Sequence, residues 1–98
     1  MDDRITHELF DRQEINVLIH PNPASESFRV EFYTDQESKV NLSVTDITGK
    51  IVFKKYLENK SGFHTEYIDK SQIGSEGIYF LIVQGENFQA TNKLVLLK

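Results

Sequence analysis

The chain has 98 residues, 39% hydrophobic and 27% charged, a composition that fits one small packed domain and is too apolar for a disordered segment. Lysine and arginine total 11 against 15 aspartates and glutamates, so a net charge of −4 offers no basic surface to a phosphate backbone and excludes nucleic acid as a partner class. Cysteine is absent, which excludes disulfides and thiolate metal sites, and no apolar run approaches the ~18 residues of a transmembrane helix.

Residues 1–13 are polar, opening Met1-Asp2-Asp3-Arg4, and read as a linker or as the end of a preceding region, so the domain proper is expected over residues 14–98. From there, short runs of β-favouring residues alternate with turn signals at intervals of about ten residues, the spacing of a β-sandwich. The first run, residues 15–19, is stopped by Pro21-Asn22-Pro23, because proline has no amide donor and a fixed φ. In the second, Phe28, Val30 and Phe32 alternate with Arg29, Glu31 and Tyr33; in the third, Val40, Leu42 and Val44 alternate with Asn41, Ser43 and Thr45. Period-two alternation puts each apolar set on one face of a strand.

Asp46-Ile47-Thr48-Gly49 then predicts a turn in which Gly49 takes positive φ and the Asp46 carboxylate accepts turn amides. A fourth strand is expected over residues 51–57, a loop at Glu58-Asn59-Lys60-Ser61-Gly62, and a fifth strand over residues 63–68. Asp69 is placed to cap a single helical turn before Gly77 re-enters the sheet. The sixth strand is residues 78–84 and the last segment is residues 88–98. Seven short strands and no helix of ordinary length predict an all-β, seven-stranded Greek-key sandwich.

Catalytic and metal-binding patterns are absent. His7, His20 and His64 are far apart in sequence, no Asp-x-Asp-x-Asp-Gly loop is present, and no serine stands in Gly-x-Ser-x-Gly. No glycine-rich phosphate cradle appears, so no catalytic residue, metal or cofactor is expected. Tyr79, two residues after Gly77, is expected to bury its ring and return its hydroxyl to backbone near the preceding corner. The runs at residues 17–19, 78–83 and 94–97 are apolar at both odd and even positions. A sandwich strand needs one apolar face, so an exposed apolar patch is expected on at least one outer face.

The punctuation of the chain is itself distinctive: Val17-Leu18-Ile19-His20-Pro21-Asn22-Pro23-Ala24, then Val40-Asn41-Leu42-Ser43-Val44-Thr45-Asp46-Ile47-Thr48-Gly49-Lys50, then Gly77-Ile78-Tyr79-Phe80-Leu81, then Lys93-Leu94-Val95. In that order the four blocks resemble the type A C-terminal sorting domain of the type IX secretion system, from about residue 15 to residue 98. The resemblance implies an immunoglobulin-like sandwich appended to exported cargo of Bacteroidetes-type bacteria. It further implies engagement of the outer-membrane translocon from the periplasm, removal by a sortase-like protease, and delivery of the cargo to the cell surface or medium. Residues 1–13 would then be a linker or the end of the cargo region. Pro21, Asn22, Pro23, Asp46, Gly49, Lys50, Gly77, Tyr79 and Lys93 match the family's characteristic positions, and Lys98 matches its basic C-terminus. Thr45 departs from the pattern, standing where an aromatic residue is common.

The same fold class also serves accessory modules that bind a carbohydrate or a partner protein. An aromatic platform on one exposed face, with nearby Asn, Gln or Asp, would favour that alternative; its absence, with the four blocks clustered near the termini, would favour sorting.

Overall fold

The computed structural model describes residues 13–98. They form strands β1 (Gln13–Glu14), β2 (Val17–His20), β3 (Ser27–Asp46) and β4 (Ile51–Asp69), a 3-10 turn (Lys70–Gln72), and strands β5 (Gly77–Gln84) and β6 (Phe88–Leu96). Apart from Gln13, the segment read as a linker lies outside the described residues.

All seven predicted runs are extended, but two pairs of them are fused. The second and third form the 20-residue β3, and the fourth and fifth the 19-residue β4. The loop expected at Glu58-Asn59-Lys60-Ser61-Gly62 is therefore strand. The reason is that β3 and β4 stay paired from Ser27 opposite Asp69 to Thr45 opposite Ile51, and the change of direction is absorbed by register shifts between Thr34 and Ser38 and between Ser38 and Val40. Such bulges turn a ladder without ending it. Gly62, opposite Thr34 at this bend, takes a φ of 92° that a side chain would resist.

The bend creates the two layers of the sandwich. In the first sheet the N-terminal half of β3 lies between β2 and the C-terminal half of β4. In the second sheet its C-terminal half lies between the N-terminal half of β4 and β5, followed by β6 and the short parallel β1. The connection after β4 crosses from the first sheet to the second, so that β5 pairs with β3.

The predicted alternation sets the core. Phe28, Val30 and Phe32 from one half of β3 and Val40, Leu42 and Val44 from the other are all buried, joined by Leu81, Val83, Leu94 and Leu96. The expected apolar surplus is also present on the outer faces, where Leu18, Ile78, Phe80 and Leu97 are exposed.

Candidate functional site

The Pro21-Asn22-Pro23 turn is built against the C-terminal strand. Both proline peptide bonds are cis. Neither proline can donate an amide to the outer edge of β6, and the side chain of Asn22 takes over. Its Nδ2 donates to the Lys93 carbonyl at 2.8 Å, and its Oδ1 accepts the Val95 amide at 3.0 Å. Backbone pairing resumes one residue past Pro23: the Ala24 amide donates to the Val95 carbonyl at 2.9 Å, and the Leu97 amide to the Ala24 carbonyl at 2.7 Å. An edge that would otherwise be open is thus covered by a turn.

The segment after β4 closes on the same place. The Gln72 side chain accepts the Asp69 amide at 2.9 Å, half of a capping box on the single turn predicted at Asp69. The Lys70 amide donates to the Glu26 carbonyl at 2.7 Å, and its ammonium to the Leu97 carbonyl. Lys70 was not singled out by sequence, since its only local signal is that it follows a capping aspartate. Gly77 then opens β5 opposite Leu96, and the buried Tyr79 donates its hydroxyl to the Ser75 carbonyl at 2.7 Å, as expected of a corner tyrosine.

The third component is the β3–β4 turn. Asp46 Oδ1 accepts the Thr48 hydroxyl at 2.6 Å, the Thr48 amide at 2.9 Å and the Lys50 amide at 3.1 Å. The Thr48 hydroxyl bond above all, helped by the two amides and the Lys50 charge, holds this carboxyl below the usual carboxylate range, against an opposing contribution from desolvation. Gly49 has a φ of 93°, which gives the turn its positive-φ residue. Ile47 and Lys50 project from the turn into solvent.

Register brings these pieces together. Asp46 is opposite Tyr79, Tyr79 is opposite Leu94, and both Gly77 and Ala24 pair with Leu96. Pro21, Asn22, Pro23, Asp46, Gly49, Lys50, Gly77, Tyr79, Lys93 and the exposed Lys98 therefore all gather at one end of the sandwich. The other end holds the β3 bend and the Gly85–Phe88 turn, where the Glu86 amide donates to Ser38 Oγ at 3.3 Å. Gln13, the first described residue, also lies there, opposite Phe88.

Comparison with family models decides the identity. The model of the secretion system C-terminal sorting domain matches residues 18–97, which take in the four blocks from Leu18 onwards. The chain belongs to this family. The sorting domain is a C-terminal signal for type IX secretion; it implies interaction with that machinery and export to the cell surface or medium, and its family is not one of enzymes. No curated protein matches the chain. Among solved structures, it is similar to the sulfur carrier protein SoxY from Chlorobium limicola f thiosulfatophilum, at 13% identity and a TM-score of 0.45 over 98% of this chain and 96% of that one, a likeness too distant to carry an argument.

Elsewhere in the sorting domain the histidines are separate. His20 is exposed, whereas His64 is buried, stacked on Phe32 with ring centroids 4.8 Å apart and 3.1 Å from Thr34 Oγ1, and so belongs to the core. His7 lies outside the described residues. Among the described residues no three His, Asp or Glu side chains are grouped to hold a metal.

Proposed function

We propose that the end of the sandwich carrying the Pro21-Asn22-Pro23 turn, the Asp46–Lys50 turn, Tyr79 and the C-terminal strand is the surface read by the type IX translocon. One observation carries this reading: motif blocks scattered over some seventy residues of sequence form a single hydrogen-bonded end, reached through Asn22, Lys70 and Tyr79. In this reading the signal is a folded shape, since most of its residues are spent on turns and the side chains of Asn22, Asp46 and Tyr79 bond to backbone. The cargo is attached through the opposite end, by way of Gln13. The cargo enters the translocon from the periplasm, and a sortase-like protease then removes the signal. A cut before Gln13 separates the two and retains every described strand.

The test is a fusion of this chain to the C-terminus of an inert, periplasmically targeted reporter in a host with the type IX machinery. Surface or extracellular reporter, lost when the domain is removed, is expected. Periplasmic retention with and without the domain, in a host that exports its own cargo, would overturn the reading.

The accessory-module alternative has one observation in its favour. Tyr33, Phe63 and Tyr67 are exposed on the outer face of the first sheet, with Phe63 84% accessible and set edge-on to Tyr33 at 5.1 Å. Across the sheet the polar residues on this face include His20, Arg29, Glu31 and Thr65, and Arg29 and Glu31 are paired with each other at 2.7 Å. Retention of this chain on immobilised polysaccharide, lost in Phe63→Ala and Tyr67→Ala, would promote that alternative.

A further inference from the structure

The outer face of the second sheet, like that of the first, exposes apolar side chains. Cross-strand partners share a face, so Ile51, Thr45, Phe80 and Lys93 form one row across the sheet, and Ile78 stands opposite Val95 in the next. Ile51 is 54% accessible, Ile78 44% and Phe80 36%. From these rows down to the pairing of Asn41 with Gln84, the outward positions of β3 to β6 carry two charges, Lys54 and Lys93, and no carboxylate, and Glu14 of β1 follows only at the far corner, opposite Gln89. In a chain of net charge −4 the centre of this face is thus lysine-bearing and free of acidic residues. The face is also continuous with the end described above, because Lys93 belongs to both and the Asp46–Lys50 turn borders it.

We infer that this face docks onto a protein surface that is apolar at its centre and acidic at its rim, a component of the export machinery; the inference rests on the sorting reading. Burial of Phe80, Ile51 and Ile78 supplies the driving force, and carboxylates opposite Lys54 and Lys93 supply orientation and select against basic surfaces. A protein fits better than an anionic bilayer. The apolar side chains form a flat array on strands, which complements another flat surface, and two lysines give little attraction to lipid headgroups.

The test uses the reporter fusion with Phe80→Asp, Phe80→Lys and, on the opposite face, Thr65→Asp, each checked by thermal melting. Phe80→Asp is expected to lower export at least tenfold, Phe80→Lys distinctly less, and Thr65→Asp not at all. Thr91→Asp, an exposed polar position on the docking face, gives the same readout without loss of an apolar side chain and is expected to lower export severalfold. Export of folded Phe80→Asp and Thr91→Asp at the parent level would overturn the docking face while leaving the sorting reading intact. Equal loss in Phe80→Asp and Phe80→Lys would overturn the acidic partner. Failure of the unsubstituted chain to export the reporter would remove the sorting reading and this inference with it. Binding of the chain to vesicles of phosphatidylcholine and phosphatidylglycerol, abolished by Phe80→Asp, would assign the face to a membrane and overturn the protein partner.

Discussion

Lys55 Nζ lies 2.6 Å from Glu66 Oε1, an ion pair between the two halves of a single strand. Lys55 is opposite the buried Leu42 in the second sheet and Glu66 opposite the buried Val30 in the first, so the pair closes the open side of the sandwich along β4. Among the described residues β4 pairs with β3 alone, which makes it an edge strand in both layers. Inward-facing charge on an edge strand discourages pairing with a second chain. Lys55→Ala is expected to cost less than ~1 kcal/mol, because the pair is partly solvated and screened. Replacing both residues by leucine is expected to leave the melting temperature near the parent value and to increase self-association, read by analytical ultracentrifugation.

Asn22 bonds the backbone of β6 through a donor and an acceptor at once. Asn22→Ala is expected to cost about 1–2 kcal/mol, the sum of two modest hydrogen bonds at an exposed edge. Asn22→Asp keeps the acceptor for Val95 and sets a carboxylate against the Lys93 carbonyl, so it is expected to be no better than alanine. Chemical denaturation of the three proteins checks the order; an Asp variant as stable as the parent would show that the Lys93 contact contributes nothing.

Much of this fold is legible in the sequence because the physical signals are local. The alternation in residues 28–32 and 40–44 names the core side chains, and Asp46, Gly49, Asp69 and Tyr79 announce their turns and caps by residue type. What is not legible is long-range. Residues 58–62 have loop-like composition, yet they continue β4, because pairing with β3 outweighs local preference and Gly62 absorbs the bend. The meeting of Asn22 with Lys93 and Val95, across more than seventy residues, leaves no mark on either segment except the two prolines that make the amide side chain necessary. The role of Lys70 is hidden for the same reason.

Asp46 gives a pH-dependent signature. Its carboxyl is held below its ordinary value of 3.8, so the folded state favours the charged form. The resulting stability is fully present above 3.8 and is lost as pH falls through the lower folded value. Asp46→Asn removes this titration. The stability difference between parent and variant is expected to be constant well above pH 3.8 and to shrink below it, measured by urea melts across pH. A difference that grows on acidification would contradict the assigned bonds.

Leu42 is fully buried between the layers. Leu42→Ala is expected to cost about 2–5 kcal/mol, a large share of the stability of a domain this small. Equilibrium denaturation reads it directly, and a cost near zero would place Leu42 outside the core.

The most direct test of the central claim separates the two ends of the sandwich by charge. Lys50 and Lys98 are exposed at the end where the motifs gather, and Lys39 is exposed near the bend at the other. Solvated lysines contribute little to stability, so Lys50→Glu with Lys98→Glu, and Lys39→Glu separately, are expected to melt close to the parent. The measurement is the exported fraction of the reporter fusion. Export falling severalfold in the Lys50/Lys98 variant and holding at the parent level in Lys39→Glu is the predicted result; equal export in both, or loss in Lys39→Glu alone, would contradict the account.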